Sequence, residues 1–568
     1  MPIRSPMNQR KRSARSLVGR SSVVLLAFAG LFFVWKGVVG SGGEEAREPP
    51  VTAESAPGSP APPSPEVGVR VFRADAPSER RAMGDVAVCP GCDVVLVSVC
   101  SLRKDHVGAY AGVDISTPNM DAIAAAGTRF ESAYAASSFT LAGLTSVLTG
   151  SFGSTTGVTG WDKGLTQDVL TLPEVLGYYG YSTAAFTTDA PSGFRPDYGL
   201  NRGFQYMEIR PPPPGTPDGR NLPGARTAPG EVAQPMADWI QAHSTAQPLF
   251  AMLHTRSAHF PFVIEAPGKA DDPTGMSAAL WRAGMNQELE QNDGVMPGMD
   301  GGTGQKGIVK LVGTDPLQSL VNREGQPAVD VWKRHYREAV ERMDADVGRV
   351  IDALKSSGRW ERTVLILLAD HGESLNEHDE LLHGDAFFQG VVNVPFIVRV
   401  PGLEGPEAHD GLVSHVDVLP TLLSAVGAME PAGIDGLSVL PLLQGQTESV
   451  RQFALSEGGV AKHGPDSLPG AVIAPPWVLL KQKRGCGATS SVAEREGFPI
   501  CLFNLESDPE QRRSVASQYP QVVDALLERW TAFRAERAGG KGSRIELSPE
   551  FVEALRRDGY DFSKDRPQ

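Results

Sequence analysis

The chain has 568 residues, enough for a large domain and a smaller one with ample core. Hydrophobic residues make up 41% and charged residues 21%, a globular composition. The formal net charge of −14 excludes a general nucleic-acid binder, which needs basic surface against phosphate, and leaves the substrate class open.

The N-terminus does not belong to the globule. Residues 1–20 carry Arg4, Arg10, Lys11, Arg12, Arg15 and Arg20 with no acidic residue, and an apolar run (VVLLAFAGLFFVW) begins at Val23. A basic flank before an apolar stretch orients the N-terminus towards the cytoplasm. Residues 21–40 read as a transmembrane anchor with Lys36 snorkelling, or as a signal peptide cleaved near the small residues Val38, Gly40 and Ser41. Either way the remainder is extracytoplasmic, anchored or secreted. Residues 41–90 follow as a linker. Its first part, rich in Pro, Ala, Ser and Glu, cannot bury a core and reads as an extended tether.

Five cysteines are present: Cys89, Cys92, Cys100, Cys486 and Cys501. Export permits disulfides. Cys89 and Cys92 form a single CxxC with no second one to complete a zinc ribbon, so a local disulfide or a thiol pair is expected. Cys486 and Cys501 are placed to close a loop, and Cys100 is the odd one.

Beyond the linker, strand-like and helix-like segments alternate. Residues 93–99 (DVVLVSV) read as a strand. Thr117 caps a helix that Pro118 starts and Gly127 ends. Residues 141–148 are helical, 173–179 helical again, 182–187 and 248–253 strands. Residues 329–356 have the period of a long amphipathic helix, 363–369 (TVLILLA) and 395–400 read as strands, and 416–426 as a helix. Such alternation specifies an α/β sandwich with a mostly parallel central sheet. Residues 211–230 and 263–326 break the pattern as Gly- and Pro-rich insertions over the site. From about residue 446 to 568, short strands (WVLLKQK, ICLFNL) and one helix (522–536) read as a small C-terminal α+β subdomain. The catalytic domain is thus expected over residues 91–445.

Sites in parallel sheets form beyond the carboxyl ends of the strands. Those ends carry Cys100; Thr187, Thr188 and Asp189; His254 and His259; and Asp370 with His371. Thr140 precedes the helix 141–148, whose free N–H groups favour an anion. Singly, each has a bland reading: Thr140 as an N-cap, Cys100 as a small buried hydrophobe, Asp370 and His371 as a turn with a satisfied histidine. Together they suit a metal-assisted attack on an anionic ester.

The ordered pieces VVLVSVCSLRKDHVGAY, STPNMDAIAAAGTRFESAYAASSFTLAGLTSVLTG, LFAMLHTRSAHFPF, LILLADHGESLNEHDELLHG and SHVDVLPTLLSAVGAMEPAGIDGLSVLPLL make the chain resemble the sulfatase family of the alkaline phosphatase superfamily. The resemblance continues through ICLFNLESDPEQRRSVASQYPQ to LSPEFVEALRRDGY. It implies an alkaline-phosphatase-like α/β/α sandwich and one divalent metal ion, calcium in the family, held by Asp370, His371 and the nucleophile. Cys100 stands where the family has a carboxylate, which favours zinc if Cys100 is a ligand. The nucleophile position, counted back from Leu148-Thr149-Gly150, is Thr140. Ala142 fits the C/S-x-P/A-x-R pattern, but Leu144 replaces its arginine, so no formylglycine is expected at Thr140. His259 and His383 match residues near the ester and the transferred group.

The resemblance implies sulfate ester hydrolysis, with phosphoryl transfer or phosphodiester cleavage by Thr140 as the alternative. In a second arrangement Asp105 replaces the lost carboxylate. In a third the site is dead and the domain binds a sulfated or phosphorylated glycan or a partner protein. The anchor and tether point to an envelope or extracellular polymer as substrate.

Overall fold

The computed structural model describes residues 87–110, 112–188, 193–210, 230–260, 262, 275–277, 279–280, 316–459, 468–482, 485–486, 494–495, 498–537 and 542–544. The basic segment, the anchor or signal, nearly all of the linker, Asp189, most of both insertions and the segment LSPEFVEALRRDGY lie outside the described residues. No described helix is long and apolar enough to cross a membrane.

Eight strands form the main sheet: β1 (Asp93–Val99), β2 (Thr128–Phe130), β3 (Ser182–Thr188), β4 (Tyr206–Arg210), β5 (Leu249–Thr255), β6 (Thr363–Ala369), β7 (Phe396–Arg399) and β8 (Ala408–His409). Their spatial order is β8-β2-β7-β6-β1-β5-β3-β4. Only β7 runs against its neighbours; the other pairs are parallel. The centre is β6-β1-β5, and each of these strands is buried along its whole length. Strands covered on both faces need continuous apolar runs, and DVVLVSV and TVLILLA supply them.

Alternation along a strand sorts side chains to the two faces. On one face Val95, Val97 and Val99 meet helices α1 (Pro118–Ala125), α4 (Ala233–Ala242) and α5 (Gln326–Ser356), through Ile123, Met236, Ile240, Tyr336 and Met343. On the other, Val94, Leu96, Ile366 and Met252 meet α2 (Thr140–Thr149), α3 (Leu172–Tyr178) and α6 (Val418–Val426), through Leu144, Leu148, Val175 and Leu422. Each such Leu or Val contributes about 1.5–3 kcal/mol by leaving water. The result is the α/β/α sandwich expected, and its parity rule decides which side chains reach the site.

Several local expectations change. Thr117 does not cap α1: its hydroxyl accepts from the Gly108 N–H at 2.8 Å and donates to Asp121 at 3.0 Å, so it is committed elsewhere. Thr171 and Glu174 instead form a capping box at α3. The helix expected from residue 416 begins as a 3₁₀ turn, His415–Asp417, and becomes α-helical at Val418. Part of the second insertion is ordered as a helix, Pro316–Glu324, because Leu317, Leu320 and Val321 are buried against α5's layer. Cys89 and Cys92 are joined by a disulfide, as are Cys486 and Cys501, and Cys100 is a buried free thiol.

The C-terminal part is an antiparallel sheet of β9 (Ala454–Glu457), β10 (Gly470–Ala474), β11 (Trp477–Lys481) and β12 (Phe498–Asn504), edged by the short strand Glu494–Arg495, with helix α7 (Pro520–Arg537). It shares a hydrophobic cluster with Ala136, Phe152 and Val416 of the main domain. Glu457 ties the join: it accepts from Trp530 Nε1 at 2.6 Å and from the Ser154 amide and hydroxyl at 3.0 and 2.7 Å.

Candidate active site

Cys100 follows β1 and Asp370 follows β6. By the two-residue period Cys100 continues the Val94, Leu96, Ser98 face, and Asp370 continues the Val364, Ile366, Leu368 face. On β5, His254 continues Phe250 and Met252 and pairs in register with Ser98. Three adjacent strands therefore send one donor each to the face that α2 covers. Cys100 Sγ, a ring nitrogen of His254 and a carboxylate oxygen of Asp370 all lie within 4.8 Å of one another, and all three residues are fully buried.

Helix α2 arrives end-on. Phe139 occupies its N-cap, and Thr140 is its first residue rather than a cap. Its hydroxyl stands 3.6 Å from Cys100 Sγ and 3.3 Å from His371 Nε2. The approach is close because Gly143 lacks a side chain: a Cβ there would sit 2.6 Å from the Asp370 carbonyl oxygen. Leu144, at the position of the missing arginine, is fully buried in the apolar layer beneath.

The remaining groups form an imidazole cluster. The His371 ring lies 4.1 Å from the His383 ring, which lies 5.0 Å from the His259 ring. His371 Nδ1 donates to the Gly372 carbonyl at 2.8 Å, so Nε2 presents a lone pair to Thr140. His259 Nδ1 donates to the Phe260 carbonyl at 2.6 Å and Nε2 accepts from Arg256 at 2.9 Å. His383 Nδ1 is 3.1 Å from Glu373 Oε1.

Burial dominates the electrostatics. It lowers His254 and His371 to about 4 and His259 well below its ordinary value, so these imidazoles are neutral at pH 7. Burial, and then the charge of Asp370, push the Cys100 thiol well up. Burial also raises Glu373 to about 8. It opposes ionisation of Asp370 too, but in the acid range where His371 and His254 become charged these two, with a hydrogen bond from Thr140, outweigh it and hold this acid below the usual carboxylate range.

The residues fit a bound cation. Asp370 Oδ2 and His254 Nε2 are buried without a hydrogen-bond partner. An orphaned buried polar atom costs roughly 1–3 kcal/mol, so two beside a thiol ask for a ligand.

The structure thus brings Cys100, Thr140, Asp370, His371, His259 and His383 together. It keeps Asp105 apart, in an ion pair with Arg103 at 2.6 Å and a hydrogen bond to His106 at 2.7 Å, so this carboxylate does not replace the one missing at position 100. Thr187 lies beside His254 in the register. Three residues carry more weight in the structure than in the sequence reading. His254 announced itself only as a strand-end histidine, although its parity with Phe250 and Met252 points it at Cys100. Arg256 and Glu373 gave no signal, because their partners His259 and His383 are set by loop geometry.

A wide, mostly parallel sheet with a hydroxyl and a donor set at its carboxyl edge defines the alkaline-phosphatase-like class of hydrolase folds. Within that class the chain belongs to the sulfatase family, whose model matches residues 93–428. It is 29% identical over 196 residues to arylsulfatase K of Homo sapiens and 26% to that of Bos taurus. Both alignments cover 32% of this chain, and the chain spans about a third of the length of these curated relatives (33%). Among solved structures, the phosphonate monoester hydrolase of Agrobacterium radiobacter superposes with a TM-score of 0.57 at 20% identity, covering 81% of this chain and 99% of that one. A 2-O GAG sulfatase superposes with a TM-score of 0.58 at 17% identity, covering 81% and 96%.

Proposed function

We propose that the protein hydrolyses sulfate esters, with the Thr140 hydroxyl as nucleophile. The observation that carries this reading is the 3.3 Å approach of Thr140 Oγ1 to the lone pair of His371 Nε2, at the start of α2 and beside Cys100 and Asp370. A neutral imidazole held by a backbone carbonyl is a proton acceptor oriented towards its donor. As Oγ1 attacks sulfur, its proton passes to His371 Nε2 and the bond from sulfur to the leaving oxygen breaks. The leaving oxygen takes up that proton, relayed from His371 through His383, whose ring is 4.1 Å away, and departs as the alcohol. Both ring nitrogens of His259 are engaged, so His259 acts here by orienting Arg256. Water then cleaves the Oγ1–S bond, releasing sulfate and restoring the threonine. The N-terminal N–H groups of α2 face the anion. A divalent cation held by Cys100 and Asp370 beside Thr140 would lower the pKa of the nucleophile and offset the charge on the ester.

A sulfated glycan outside the cytoplasm is the proposed substrate, reached from an N-terminal anchor or by secretion. Support comes from the family membership, from the basic and apolar N-terminal segment, and from relatives that act on sulfated glycans: one structural neighbour is a 2-O GAG sulfatase. Phosphoryl chemistry is the second reading, favoured by the unmodified Thr140 and by the likeness to a phosphonate monoester hydrolase. The test is a panel of nitrophenyl sulfate, phosphate monoester, phosphodiester and phosphonate with the metal-loaded protein. Preference for the sulfate supports the first reading, and preference for a phosphorus ester the second. Turnover of none by a metal-bound protein sinks both, and leaves a glycan- or partner-binding domain.

A further inference from the structure

We infer that the metal centre is a soft, zinc-type site whose protein ligands are Cys100 Sγ, His254 Nε2 and Asp370 Oδ2, and that His371 stands outside the ligand set. The inference rests on the reading of this sheet edge as the reaction centre and specifies its metal.

Two of the three ligands are pre-oriented in the same way: His254 and Asp370 each have their other polar atom held by protein. His254 Nδ1 is 3.1 Å from Ser98 Oγ, the neighbour in register, and in the tautomer in which Nδ1 donates to that hydroxyl Nε2 carries a lone pair. Asp370 Oδ1 accepts the Ser101 and His371 amides at 3.2 and 2.8 Å, which leaves Oδ2 without a hydrogen bond and with the His371 Nε2 3.5 Å away. Nε2 and Oδ2 are both buried without a hydrogen-bond partner, and a ring nitrogen of His254 and a carboxylate oxygen of Asp370 lie within 4.8 Å of each other and of Cys100 Sγ. An outer partner that fixes the far nitrogen of a histidine or the far oxygen of a carboxylate is the usual support of a metal ligand.

The donors also select the metal. One sulfur, one nitrogen and one oxygen suit zinc, whose tetrahedral sites place donors roughly 3–4 Å apart, a small closing movement from 4.8 Å. Calcium takes six to eight oxygens, and this group supplies one carboxylate. Three protein ligands leave a fourth position, and the Thr140 hydroxyl is 3.6 Å from the thiol that would border it. His371 Nε2 lies 3.3 Å from that hydroxyl and 3.9 Å from Cys100 Sγ, and its lone pair is used for the threonine proton. The assignment therefore replaces His371 by His254 in the ligand set that the family resemblance implies.

The test uses the full-length protein purified in detergent without a chelating tag. Bound metals are measured by elemental mass spectrometry, and the metal-depleted protein is titrated with zinc alone and with cobalt(II). One equivalent of zinc is expected, together with a thiolate-to-cobalt charge-transfer band in the near ultraviolet. Cys100→Ser should abolish the band. His254→Gln should lower zinc affinity by about 100-fold or more, beyond the 10- to 100-fold typical of an outer partner. His371→Gln should keep both the stoichiometry and the band. The wild-type metal content and spectrum decide the metal and the thiolate even if a variant fails to fold, and the histidine variants decide the nitrogen ligand. Stoichiometric calcium, a cobalt complex without the thiolate band, or zinc lost with His371 and kept without His254 would each overturn the assignment. None of these readouts involves turnover, so an inactive zinc protein refutes the proposed reaction and leaves the site standing.

Discussion

Thr140 is the residue on which the proposed reaction turns. Thr140→Ala should reduce turnover of the preferred ester by about a thousandfold or more, with the melting temperature nearly unchanged, because the hydroxyl is not a cap and supports no helix bond. Thr140→Ser keeps the oxygen and should retain activity within about tenfold. Steady-state kinetics and a thermal melt on the two variants distinguish a nucleophile from a structural hydroxyl. Much of this constellation was legible from the chain, because a strand end and a helix start can be located from hydrophobic period alone. That puts Cys100, Asp370 and Thr140 on one edge. The ligand role of His254 was not legible in the same way. Seeing it requires knowing that β5 adjoins β1, and sequence separation gives no hint of which strands are neighbours.

The element that positions Thr140 is α2, and its closeness depends on a missing methyl group. Gly143→Ala would put a Cβ 2.6 Å from the Asp370 carbonyl, backbone that does not yield cheaply. The helix start must retreat, so stability should fall by about 1–3 kcal/mol and kcat should fall further than stability explains. Denaturant titration beside kinetics separates the two effects. Restoring the family's arginine by Leu144→Arg should not help. Leu144 is packed in the apolar layer, and an unpaired guanidinium there should cost about 3 kcal/mol or more, read in the same titration. The sequence pattern located α2 to within one residue at either end, since LAGLTSVLTG ends in a glycine that can adopt the left-handed conformation observed at Gly150. The breakdown at Thr117 has the opposite origin: a polar side chain found a better partner across a turn.

At the scale of the molecule, buried neutral histidines make stability depend on pH. His415 takes no part in the proposed chemistry, although it packs next to the site: its Nε2 donates to the Ala369 carbonyl at 2.8 Å, and its Nδ1 accepts from the Ala136 amide at 3.3 Å. Burial lowers it from 6.5 to about 4. Between those values the unfolded chain binds a proton that the native protein refuses. Stability is therefore complete above pH 6.5 and is lost as the pH falls towards 4, by roughly 1.4 kcal/mol per unit for each such histidine. Melting temperatures of the metal-free protein across pH 4–8 should show this fall, and His415→Gln should flatten it.

The reach of the site along the chain has a consequence for biogenesis. Cys100 and His371 are 271 positions apart, yet their side chains meet. If the chain is exported amino end first, the lone thiol emerges a few residues behind the Cys89 and Cys92 pair and waits for most of the catalytic domain before Asp370 arrives to enclose it. During that interval an oxidising compartment offers it the wrong partners. Timely metal supply, or a reductant at the exit of the translocation channel, would then govern the yield of correctly paired protein.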